Sequence, residues 1–173
     1  MFATMNSVRW SHALLGFGFL RIASAFLTQP QFKADKFVGK WYTIGISVKG
    51  GGVKNTYSHL VTVELEESGE LGITVEKPED SCAKIQFNLL VGEKPGKYIR
   101  DTGTQRNTIT IIETDYDSFC ILGTETDLVN TLNLYSRHED VSDEVKAKFE
   151  YYIKCLDFPT NRIVYFSKQE SWC

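Results

Sequence analysis

Few side chains in this sequence are typed and spaced for chemistry. Cys82, Cys120, Cys155 and Cys173 supply thiols. None stands in a Cys-x-x-Cys pair, the spacing that lets one loop present two thiolates to a zinc ion or to each other. A zinc ribbon or a thioredoxin-type site is therefore not expected, and no metal is assigned. Four cysteines allow three complete pairings, and the sequence alone does not choose among them. His59 carries an imidazole that titrates near neutrality. It could accept a ligand carboxylate or release one as pH changes, or serve as an ordinary polar rim residue. His138 has no evident partner. No serine, histidine and acid stand in a nucleophilic order and no carboxylates pair at strand ends, so no hydrolase, no catalytic residue and no enzyme is expected. What remains is non-covalent chemistry: hydroxyls, an amide and an imidazole set among aliphatic and aromatic side chains.

Composition narrows the classes further. The chain has 173 residues, with 19 Lys and Arg against 22 Asp and Glu, for a net charge of −3. A mildly acidic chain has no basic face for phosphates, so no nucleic-acid partner is expected. Apolar residues make up 42% and charged residues 24%, ordinary usage for one globular core. No apolar run is long enough to span a bilayer. Residues 1–25 differ from the rest: Arg9 precedes a short apolar stretch, 13–20, and Ala23-Ser24-Ala25 follows. That pattern reads as a secretion signal, with Arg21 as its unusual feature, leaving a mature domain of 26–173. An extracellular destination makes at least one disulfide expected. No Asn-x-Ser/Thr site occurs, so N-glycosylation is not expected.

The elements that would position these groups alternate with period two. Strands are predicted over 39–48, 57–65, 71–75, 82–91, 98–101, 107–113, 119–124 and 131–135, with a short final one over 162–166. Gly50-Gly51-Gly52 breaks the first, and Asn55, Gly69, Gly96, Gly103 and Asp127 mark later turns. The period then changes. Ser142 is an N-cap before Asp143 and Glu144, and Val145, Phe149, Tyr152, Ile153 and Leu156 share one helical face until Pro159 stops it. The expectation is an all-β protein with one α-helix: an eight-stranded antiparallel up-and-down barrel, helix packed outside. Such a barrel can be solid or hold one small ligand.

Three short motifs carry a family resemblance. Gly39-Lys40-Trp41 resembles the G-x-W signature of the lipocalins at the start of the first strand. Thr114-Asp115-Tyr116 is similar to their second signature, and Arg137, after the eighth strand, to their third. The resemblance covers about 32–173, nearly the whole mature chain. It implies a calyx closed at one end by Trp41, where a guanidinium stacks on the indole, with the glycine loop over the open mouth. Gly39, Trp41, Thr114, Asp115, Tyr116 and Arg137 are then structural rather than a site. Within the family, 113–119 and 163–166 are most similar to the gamma chain of the eighth complement component, alpha-one-microglobulin and the siderophore-binding neutrophil lipocalin. The family's common bridge implies a Cys82–Cys173 disulfide. Cys120 and Cys155 are then expected as two buried free thiols, because a bridge through the barrel wall is geometrically poor, though a distorted register could still join them.

Parity and resemblance together imply a calyx lined by Thr43, Ser47, His59, Val61, Val63, Ile85, Phe87, Leu89, Ile109, Ile111, Leu122, Thr124, Thr131, Asn133 and Tyr135. Gly45, Leu71, Ile73 and Val75 join them by the same parity. No lysine or arginine is expected to point inward. The resemblance implies a secreted carrier for a small hydrophobic molecule (a fatty acid, retinoid or steroid-like compound) with no cofactor, and disfavours anionic iron chelates. The alternative is an accessory protein acting through its rim on a protein partner, as a complement-type chain does. A prostaglandin-isomerising activity is third, because that relative uses a thiol on the second strand and this chain has none there.

Overall fold

Period-two segments with turn residues between them can satisfy their backbone groups and bury one face only by pairing in sequence. In the computed structural model, which describes residues 26–51, 58–77 and 83–166, they do so. The strands are β1 Gly39–Lys49, β2 Leu60–Leu65, β3 Leu71–Glu76, β4 Lys84–Val91, β5 Lys97–Asp101, β6 Arg106–Thr114, β7 Phe119–Glu125, β8 Asn130–Ser136 and β9 Ile163–Tyr165. Each of β1–β8 is antiparallel to the next, and β1 pairs with both β2 and β8, so the sheet closes into an eight-stranded barrel with β9 added beside β1. Closure leaves no free edge strand in the barrel proper. One ladder is short. β4 pairs with β3 from Lys84 to Leu89, but meets β5 only at Leu90↔Ile99 and Val91↔Tyr98. Toward the open end a seam separates β4 from β5.

Helix α2, Asp143–Cys155, lies outside the barrel. Ser142 caps it, its hydroxyl accepting from the Val145 N–H at 3.3 Å, and Asp143 and Glu144 fill the first turn. Phe149 and Ile153 are fully buried against Ile44, Ile121, Leu132 and Leu134. A polar clamp supports this packing: Glu113 on β6 accepts from Lys148 Nζ at 2.6 Å and from the Tyr152 hydroxyl at 2.7 Å. A short helix the sequence pattern did not announce, α1 Ala34–Phe37, crosses the closed end ahead of β1.

Two departures from simple alternation matter. The β1–β8 register shifts between Thr43 and Gly45, a bulge that turns both Ile44 and Gly45 toward α2. A one-residue insertion exchanges the faces of everything beyond it. Ser47 is consequently opposite Leu132, in the core under α2, rather than in the calyx as expected. Gly45 faces Phe149 and Tyr165 for the same reason. The second departure is Phe26, whose ring sits outside the barrel where a side chain on Gly123 would be, stacked 6.1 Å from Phe158. Residues 1–25, Gly52, Asn55, Cys82 and Cys173 lie outside the described residues, and with them the leader and the Cys82–Cys173 bridge.

Candidate functional site: the barrel interior

The closed end is built by a few residues whose roles follow from their geometry. Gly39 has φ +103°, and a Cβ there would fall 3.1 Å from the Arg137 guanidinium. The glycine lets Arg137 lie 3.7 Å over the Trp41 ring. In that position Arg137 donates to the carbonyls of Tyr116 at 3.0 Å, Lys40 at 2.9 Å and Lys36 at 3.3 Å. The Trp41 indole N–H donates to the Phe37 carbonyl at 2.9 Å. Asp115 accepts from the backbone N–H groups of Asp117, Ser118 and Phe119 at 3.2, 2.8 and 2.9 Å and from the Ser118 hydroxyl. Burial works against its charge, but those bonds outweigh it and hold its carboxyl below the usual range. The Thr114 hydroxyl donates to the Phe119 carbonyl at 2.6 Å and accepts from the Tyr116 N–H at 2.9 Å. Tyr116 can therefore hold φ +70° in a tight β6–β7 turn.

Above this base is a cavity of about 240 Å³. That is under the roughly 300–1,000 Å³ usual for drug-sized ligands, so it suits one slender chain or a compact ring system. Of the fifteen residues the sequence proposed for the calyx, nine line it: Val61, Val63, Phe87, Leu89, Ile109, Ile111, Leu122, Thr124 and Tyr135. Leu71, Ile73 and Val75 line it too. Trp41 and Phe37 form its floor, so the indole is both a structural closure and a wall of the cavity.

The other six residues do not reach it. Ser47 is turned away by the bulge, and its buried hydroxyl has no hydrogen-bond partner among the described residues. Thr43 is held by its neighbours: its N–H and hydroxyl donate to the His59 carbonyl at 2.9 and 3.1 Å. His59 is half-buried and not among the lining residues, with its backbone rather than its imidazole engaged on Thr43. Burial, and then the Lys77 ammonium, lower its pKa. Ile85 shares a face with Val75 but is 41% exposed at the mouth. Thr131 and Asn133 are in register with Thr124 and Leu122, yet bond each other, amide to hydroxyl, at 2.9 Å.

Four lining residues escaped the sequence reading: Phe37, Tyr98, Arg100 and Asn107. The expectation that no cation points inward is overturned by Arg100, whose guanidinium lies 3.8 Å over the Phe87 ring. Alternation held the signal. With the aromatic Tyr98 facing in, Arg100 two residues on must face in as well, and its register partner on β6 is Asn107.

Of the two thiols expected to be buried and free, one differs in its burial. Cys120 is buried and free, and burial pushes its thiol well above the ordinary range. Cys155 is free but exposed, because it falls two residues past Ile153, on the outer side of α2. Cys120 is absent from the cavity wall, and β2 presents only Val61 and Val63 there.

Residues 38–170 match the model of the Lipocalin / cytosolic fatty-acid binding protein family. The chain belongs to the lipocalin family. It is 24% identical to a "Lipocalin" of Rhinella marina, over 96% of this chain and 97% of that protein. It is 29% identical to "Epididymal secretory protein 4" of Zootoca vivipara, over 82% and 81%. It is also 30% identical to "Prostaglandin-H2 D-isomerase" of Felis catus, again over 82% and 81%. Among the described residues no helix is long and apolar enough to cross a membrane.

Proposed function

We propose that this lipocalin is a secreted carrier that holds a small lipophilic molecule non-covalently in its calyx. The observation that carries the reading is the cavity itself, walled by aliphatic and aromatic side chains from seven strands, β2 to β8, and floored by Trp41. Burial of an apolar ligand there removes its surface from water at about 25 cal/mol per Å², a driving force that needs no specific bond. Some relatives are named as prostaglandin isomerases. Binding without turnover is the better reading for this chain, because no cysteine stands among the cavity-lining residues and the buried Cys120 thiol is disfavoured as a thiolate. Secretion, loss of residues 1–25 and a Cys82–Cys173 bridge belong to the same proposal, motivated by the leader pattern and the family resemblance.

Protein collected from the medium of secreting cells is the sample to test. Native mass spectrometry should show a retained lipid, or saturable one-to-one uptake of retinol or a medium-chain fatty acid, at micromolar or tighter affinity. Non-reducing peptide mapping should link Cys82 to Cys173, with Phe26 at the mature N-terminus. An empty calyx that takes up none of these ligands overturns the carrier reading.

A further inference from the structure

Four buried side-chain polar atoms have no hydrogen-bond partner among the described residues: Ser47 Oγ, Thr110 Oγ1, Arg100 Nε and Asn107 Oδ1. Ser47 and Thr110 sit on the outer face of the sheet. Arg100 and Asn107 both line the cavity, directly opposite each other on β5 and β6, one pair in from the β5–β6 turn at the open end. Unsatisfied buried polar groups are uncommon in folded proteins, and the Arg100 Nε–H, a charged donor on the cavity wall, calls for an acceptor.

The surroundings narrow that partner. Arg100 is the single charged side chain in the lining among the described residues, and none of their ion pairs involves it. Its guanidinium carbon lies over Phe87, 3.8 Å from the ring centre. A guanidinium over an aromatic ring keeps its N–H donors available to an acceptor, and here the Nε–H has none. Below this level the wall is apolar down to Phe37 and Trp41. Asn107 adds an amide whose NH2 donates to a carboxylate once the amide is turned over, since an ionised carboxylate only accepts.

Building on the carrier reading, we propose that the calyx selects a lipid with a terminal carboxylate, held head-up: the carboxylate on Arg100 and Asn107 at the mouth, the tail toward Trp41. The volume suits a medium-length acyl chain. A neutral alcohol of the same length fills the same wall but cannot answer the guanidinium with charge.

The test uses the full secreted chain and a matched pair of probes, dodecanoic acid and dodecanol, titrated calorimetrically at neutral pH. Wild type should bind the acid about tenfold or more tighter than the alcohol, the effect of a charge-assisted hydrogen bond. Arg100→Met, which keeps an unbranched chain against Phe87, should abolish that preference, the acid then binding no tighter than the alcohol. Arg100→Lys should restore part of it. Equal binding of acid and alcohol by wild type overturns the carboxylate proposal and leaves the carrier reading standing. Failure to bind either probe overturns the carboxylate proposal, and the carrier reading falls with it only if retinol is refused as well. If Arg100→Met loses the alcohol as much as the acid, Arg100 is a strut of the wall and the proposal falls.

Discussion

Arg137 and Arg100 each lie over an aromatic ring, at 3.7 Å from Trp41 and 3.8 Å from Phe87, and burial treats them differently. Arg137 spends its donors on three carbonyls and so closes one end of the barrel. Arg100 has an unspent, buried Nε and faces the cavity. The two free thiols are a similar contrast. Cys120 is inaccessible and its thiolate is opposed first by burial, whereas Cys155 is exposed on α2. In native protein iodoacetamide should modify Cys155 and spare Cys120 until denaturant is added, read by peptide mass spectrometry. Prompt modification of Cys120 in native protein would mean that the thiol is reached from the cavity, and would reopen the isomerase reading. At this scale the sequence was legible wherever one residue type had one available role. Trp41, Asp115 and Arg137 are in that position. Arg100 was not, because a guanidinium two residues from a tyrosine reads as solvent-facing until the strand's inward parity is fixed.

The elements followed the pattern closely, since period two and period 3.6 are geometric consequences of strand and helix. β2 begins at Leu60 where a start at 57 was expected, and residues 52–57 lie outside the described part of the chain. The inward set on β1 went astray at the bulge, because nothing in Thr43-Ile44-Gly45 announces an extra residue on one face. Gly45 shows what the bulge is for. A Cβ there would stand 3.0 Å from Tyr165 Cδ1 and 3.5 Å from Phe149 Cε1. Bare backbone at this point lets β9 and α2 both close on β1. Gly45→Val should lower stability by about 1–3 kcal/mol in urea denaturation through overpacking. Adding Tyr165→Ala should recover part of that loss, since the two side chains compete for one space. A Gly45→Val protein as stable as wild type would mean that β9 is not packed tightly on β1.

Across the whole molecule, the sheet is a closed ring with one loosely joined place, the β4–β5 seam, where backbone pairing ends at Leu90↔Ile99 and the Arg100–Phe87 stack spans the gap above it. A barrel escapes the hazard of exposed strand edges only as far as its ladders run, and the open stretch from Lys84 to Leu89 is therefore half an edge. Its guard is chemical: Lys84, paired at 2.9 Å with Glu76, and Gln86, bonded at 3.3 Å to Thr74, keep exposed polar groups on the outer face of that stretch, over β3. A second molecule laying a strand against that stretch would have to desolvate a lysine. Replacing both guards with valine should raise self-association measured by sedimentation velocity, while the cavity and its ligand affinity stay as they were. If the double variant sediments as wild type does, the side-chain bridge across the seam already protects it, and the guard is redundant. The stacked guanidinium that faces the ligand would then also be what keeps one barrel from adhering to the next.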